Sequence, residues 1–303
     1  MRSTTFEVRD EAFHEAVAPS AALRVVADGF TFTEGPIWHP HEHWLMFSDI
    51  ATSRQWRWSE REGLSLFRRP SNQANGNTFD REGRVVTCEH ASSKLVRIEH
   101  DGKLVRVLAA HYEGKRLNSP NDAVVDERGR IFFTDPTYGR TRADLGLIRE
   151  QELPFQGVFR YDPDGSLTLL CDDFEQPNGL CFTCDGTRLL VNDTARRVIR
   201  CFGADGETGG EVWAHVTGEG SDVEGSADWN PDGMKTDGAG RIWCNGPGGV
   251  HVFSADARCL GVIHLPEKST NFCFGGAELS ILFVTASTRV YAIDTLAKGR
   301  PAF

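Results

Sequence analysis

No stretch of this 303-residue chain approaches the roughly 18 consecutive apolar residues of a membrane-spanning helix. No basic run exceeds a few residues, and 33 Lys and Arg stand against 43 Asp and Glu for a formal charge of −10. An acidic chain repels phosphate backbones, so neither a membrane nor a nucleic acid is an expected partner. The opening MRSTTFEVRDEAFHEA lacks the apolar core of a secretory signal, which makes the cytoplasm the expected location. Of the eight cysteines only Cys181 and Cys184 form a C-x-x-C, with no second pair at zinc-finger spacing. Most sit in apolar runs such as VVTCEH and GRIWCN, as reduced structural thiols do. A G-x-S-x-G nucleophile elbow is also missing.

What the chain has is glycine, 31 residues spread over its whole length, together with 13 prolines. Even scatter means many turns and therefore many short strands. One phrase recurs: a polar residue, an apolar step, a D-x-x-G type of turn, and an apolar run ending in a polar residue. Its copies are EGPIWHPHEHWLMFSD (34–49), NGNTFDREGRVVTCE (75–89), NDAVVDERGRIFFTD (121–135), NGLCFTCDGTRLLVND (178–193), DGMKTDGAGRIWCN (232–245) and the degenerate NFCFGGAELSILFVTA (271–286). Two further strand candidates follow most copies, for instance RQWRWS and LSLFRR after the first. The anchors at 34, 75, 121, 178, 232 and 271 are spaced by 41, 46, 57, 54 and 39 residues, bracketing the period of propeller blades. The chain is thus expected to be all-β, a six-bladed β-propeller with four antiparallel strands per blade. The last unit lacks a fourth strand, which ALRVVADG (22–29) supplies to close the ring and hide its edges. Residues 1–20 are expected as an N-terminal extension and 21–303 as one domain.

Equivalent positions in a propeller lie on a ring, and the first strand of each blade lines the channel. The leading residues are Glu34, Asn75, Asn121, Asn178, Asp232 and Asn271, each with a side-chain oxygen. Two carboxylates and several amide oxygens at one mouth suit a hard divalent cation, Ca2+ first, with Zn2+, Mn2+ or Mg2+ as alternatives. The competing reading is turn chemistry, since N-G, D-G and N-D steps are common turn formers. A second polar ring is expected at the same mouth from Asp49, Glu89 with His90, Asp135, Asp193 and Asn245. His90 is the imidazole nearest the site and is read as a substrate contact. The long insertion 136–156 is a candidate lid, with a solvated excursion as its alternative.

The motifs E-G-P-I-W (34–38), S-P-N-D (119–122), P-N-G-L (177–180) and P-D-G-M (231–234) resemble those of the regucalcin/gluconolactonase family. N-G-x-T-F-D-x-x-G-R and C-E-H in 75–90, with F-F-T-D-P-T-Y-G at 132–139, look most like its bacterial gluconolactonases. The resemblance implies a hydrolase opening a sugar lactone of the glucono-1,5-lactone type to the aldonic acid, with one divalent ion on the axis. It places metal ligands on Glu34, Asn178 and Asp232, with Asn121 as a further ligand or substrate contact, and makes Asp232 the acid/base. Asn75 and Asn121 are read as hydrogen-bonding sugar hydroxyls or the oxyanion. Animal members carry Arg two residues before the N-D step, where this chain has Ser119. Two alternatives keep the fold: an organophosphate or aryl-ester hydrolase of the diisopropylfluorophosphatase type, and a non-catalytic calcium-binding propeller. A monomer and a small homo-oligomer both fit.

Overall fold

The computed structural model describes residues 6–205 and 209–303. Six antiparallel sheets follow one another along the chain. Blade one is Thr33–His39, Trp44–Asp49, Arg54–Ser59 and Gly63–Arg68. Blade two runs from Ala74–Phe79 to Val105–Ala109, blade three from Ala123–Val125 to Leu167–Phe174, and blade four from Pro177–Phe182 to Gly209–His215. Blade five spans Met234–Thr236 to Cys259–His264, and blade six holds Ser269–Gly275, Ile281–Ala286 and Arg289–Asp294. The fourth strand of blade six is Arg24–Asp28, paired with Arg289–Asp294, so the N-terminal strand closes the ring as expected. The protein is a six-bladed β-propeller.

The recurring D-x-x-G-R phrase shows why the blades turn where they do. Asp80, Asp126 and Asp237 each accept two backbone N–H groups with one carboxylate oxygen and the guanidinium of the Arg four residues on with the other. The glycines at 83, 129 and 240 take the positive φ that closes the turn. Packing then holds the blades together. Six apolar clusters lie one at each junction between neighbouring blades: Ile37, Trp44 and Met46 meet Phe79, Val85 and Ile98, and Phe132 and Val158 meet Leu180, Leu189 and Val191. Inner strands are buried along their length, whereas the outermost strands leave alternate apolar residues such as Leu66 and Val107 in solvent.

The N-terminal segment is more integrated than an extension. Phe6–Val8 adds a fifth strand to blade five, antiparallel to Cys259–His264. A 3-10 turn at Glu11–Glu15, capped by Asp10, then inserts Phe13, fully buried, beside Trp243 and Phe272. Residues 1–5 of the expected extension lie outside the described residues. All eight cysteines are free, four of them buried. Among the described residues no helix is long and apolar enough to cross a membrane.

Candidate active site

The six anchors sit on the innermost strands or directly before them, where the ladder is irregular. Pairing shifts register between Glu34 and Ile37, between Ala74 and Asn77, between Pro177 and Leu180, and between Ser269 and Asn271. Such bulges re-aim side chains beside functional sites. The N-G and D-G steps are therefore not hairpin turns. A Cβ on Gly35, Gly76, Gly179 or Gly233 would overlap the next blade at Asn75, Asn121, Asp232 or Asn271 respectively. Glycine is required because consecutive anchors approach one another backbone to backbone.

Hydrogen bonds complete the ring. In blades one, three and four the penultimate residue of strand two reaches the carbonyl of the next blade's anchor. Ser48 Oγ donates to Asn75 O at 2.8 Å, Thr134 Oγ1 to Asn178 O at 2.8 Å, and Asn192 Nδ2 to Asp232 O. Gly76 N donates to Asn121 O and Gly233 N to Thr270 O, both at 2.8 Å. Thr270 Oγ1 bonds Thr33 O, joining blade six to blade one. The structure thus brings Glu34, Asn75, Asn121, Asn178, Asp232 and Asn271 onto one continuous ring.

Three carboxylates meet there, one more than the anchors alone supply. Burial, reinforced by Asp232 and Asp122, holds the Glu34 carboxyl well above its ordinary range. Burial likewise raises Asp122, with Lys235 opposing it from 3.9 Å. Asp232 is pushed up to about 7 by burial and by Asp122, against Lys268, Lys235 and a hydrogen bond from the Asn178 side chain. Asp122 escaped the sequence reading, although its position carried a signal: it stands where Glu34, Asn75, Asn178 and Asp232 are each followed by glycine.

His90 lies behind this ring. It is buried, with Nδ1 3.1 Å from Leu145 O and Nε2 3.1 Å from Asn75 Nδ2, and burial lowers its pKa to about 4. Both ring nitrogens are engaged by protein. Segment 136–156 is packed down: Arg149 Nη2 donates to Ser93 Oγ at 2.6 Å and to the carbonyls of Leu117 and Asn118, while Gly139 N donates to Ser119 Oγ. The segment brings Tyr138, a further residue missed from sequence, close enough for Asp232 to help raise its phenol; burial is the main cause, and a hydrogen bond with Thr194 opposes it.

The second polar ring does a different job. Asp49 accepts from Thr31 N and Phe32 N, Asp135 from Asn118 N and Ser119 N at 2.7 Å, and Asp193 from Glu175 N and Gln176 N. Each carboxylate latches the chain entering its own blade, and Glu89 pairs with Arg68 and Asn72. Burial still raises Asp135 to about 7. A cavity of about 860 Å³ opens at the opposite mouth of the channel, lined by Trp38, Phe79, Phe182 and Lys235 among others and by none of the six anchors.

Residues 32–288 match the model of the SMP-30/gluconolactonase/LRE-like region. A gluconolactonase of Zymomonas mobilis is 31% identical, covering 98% of this chain and 86% of its own. A pentonolactonase of Haloferax volcanii is 30% identical over 92% of this chain and 96% of its own. The solved structure of a gluconolactonase from Xanthomonas campestris superimposes with a TM-score of 0.87 at 30% identity, covering 97% and 96% of the two chains. With the family model spanning nearly every blade and relatives aligned end to end, the chain belongs to the SMP-30/gluconolactonase/LRE-like family.

Proposed function

We propose that this protein hydrolyses a sugar lactone of the glucono-1,5-lactone type to the aldonic acid, using one divalent cation held by Glu34, Asn178 and Asp232. The class of activity rests on named lactonases that match almost the whole chain. The observation that carries the site is the crowding of Glu34, Asp122 and Asp232 at one mouth of the channel, where burial raises all three carboxyls, Asp122 adds to the shift of the other two and Asp232 to that of Glu34.

The donor set fits a cation. Close, buried carboxylates cannot all ionise without a compensating charge. Lys235 and Lys268 act against them, helped by hydrogen bonds from Asn178 to Asp232 and from Asn271 to Asp122. Among the described residues no group of three or more His, Cys, Asp or Glu side chains is arranged to hold a metal by itself. Carboxamides must therefore complete the set, which favours Ca2+ with its tolerance for Asn oxygens and water. Asn178, hydrogen-bonded to Asp232 and to Thr194 Oγ1, is already oriented beside the carboxylate. Asn121 serves as a further ligand or as a substrate contact.

When bound, the cation supplies Lewis-acid polarisation of the lactone carbonyl. Asp232, ionised once the cation is in place, accepts a proton from the attacking water as its oxygen bonds to the carbonyl carbon. As the bond from that carbon to the ring oxygen breaks, Asp232 returns the proton to the leaving alkoxide. Asn75 and Asn121 orient the sugar, and the protonated Tyr138 phenol is a donor on the same side. The anionic product leaves an acidic protein without electrostatic hindrance. Proton release from glucono-1,5-lactone, before and after verified metal removal, tests the reading. Loss on chelation and recovery with Ca2+ are expected. Undiminished turnover refutes the metal role, and cation binding without turnover on any aldonolactone identifies a non-catalytic calcium-binding propeller.

A further inference from the structure

We propose that His90 is a positioning residue that fixes the orientation of the Asn75 carboxamide, and that segment 136–156 sets His90 through the Leu145 carbonyl. The inference deepens the lactonase reading and depends on it only for its kinetic consequence. A backbone carbonyl can only accept, so His90 Nδ1, 3.1 Å from Leu145 O, carries the proton. In the neutral ring Nε2 is then bare, and it accepts from Asn75 Nδ2 at 3.1 Å. That contact turns Asn75 Oδ1 away from the imidazole. Oδ1 is buried and has no hydrogen-bond partner among the described residues. A flipped carboxamide would set two acceptors against each other at Nε2, so the orientation is held even though it leaves Oδ1 unsatisfied.

An acceptor kept free in this way, on the ring that carries Glu34 and Asp232, is presented to a ligand: a donating sugar hydroxyl or a cation. The clamp on His90 comes from the insertion. Gly139 packs against the imidazole so closely that a Cβ there would stand 2.5 Å from His90 Cβ and Cγ. Leu145 is itself buried. The segment thus acts on the site by setting a tautomer, at a distance from the reacting atoms. This role also explains how a histidine next to the site can matter with neither nitrogen open to substrate.

Two measurements on the full chain decide the matter. A long-range 1H–15N spectrum of the imidazoles, with His90 assigned by His90→Gln, is expected to show a protonated Nδ1 and a bare Nε2 at neutral pH. An Nε2–H tautomer overturns the proposal whether or not the protein turns over a lactone. For turnover of glucono-1,5-lactone, His90→Phe should lower kcat/KM about tenfold, Asn75→Ala at least as much, and the double variant no further than Asn75→Ala. His90→Gln, whose Oε1 can accept from Asn75, should recover most of the loss. Additive losses in the double variant overturn the proposal. If His90→Phe does not fold, the cycle is run with His90→Ala instead, to the same criterion. A wild-type protein inert to every aldonolactone sinks the lactonase reading, while the spectrum still judges the positioning role.

Discussion

A site made of buried like charges should cost stability without the cation proposed for it, and Asp232→Asn measures that cost. The folded carboxyl sits at about 7 against 3.8 for a free Asp. A carboxyl whose folded pKa is raised stabilises the native state fully only below its unfolded value, and that stability is lost as pH rises toward the folded value. The gap corresponds to about 4 kcal/mol lost between pH 4 and pH 8. Asp232 is half-buried, and solvent screening reduces the figure to about 2 kcal/mol. Asn keeps the shape and removes the charge. In excess chelator at pH 8, Asp232→Asn should therefore melt above wild type by ~3 °C for a chain of this size. At pH 4 the two should coincide. The same variant should lose ~100-fold or more in kcat/KM with Ca2+ present. Calorimetric melts at the two pH values provide the readout. A metal-free variant that melts at or below wild type at pH 8 refutes the reasoning, because Asp232 would then be serving the fold.

Other outcomes follow from the same geometry. Below about pH 7 a cation must displace a proton from Asp232, so Ca2+ affinity should fall with falling pH, by up to about tenfold per pH unit. Titration calorimetry in buffers of different ionisation enthalpy checks both the trend and the proton release. Gly76→Ala drives a Cβ into the Asn121 carbonyl and within 2.7 Å of Asp122 Cα and Oδ1. Overpacking against backbone should cost ~1–3 kcal/mol and weaken Ca2+ binding as well, read by denaturant melts and calorimetry. Phe13→Ala empties the pocket beneath blade five and should cost ~3–5 kcal/mol with KM unchanged, which shows the N-terminal segment to be part of the fold.

Much of this was legible because a propeller repeats its physical demands. Each blade opens on an innermost residue with a side-chain oxygen, and three blades share one Asp-Gly-Arg turn, so the phrase and its spacing revealed the architecture and the six anchors. The N-G and D-G steps looked like turns since glycine serves both turns and close backbone approach, and one sequence cannot separate the two. Asp122 was hidden by its neighbour Asn121, which holds the anchor position. Asp49, Asp135 and Asp193 look like site residues in sequence, yet they latch amide groups one strand away. Phe6–Val8 is too short for its alternation to register, and its partner lies more than 250 residues on. The position of His90 depends on a backbone carbonyl 55 residues away, and a main-chain acceptor leaves no mark in the residue pattern.

The most direct measurement is an anomalous-scattering map of crystals grown with Mn2+ in place of Ca2+. One strong peak is expected, with oxygens of Glu34, Asn178 and Asp232 within about 2.0–2.6 Å of it. A map with its peak among Asp49, Asp135 and Asp193, or one with no peak between Glu34 and Asp232 under saturating cation, would contradict it.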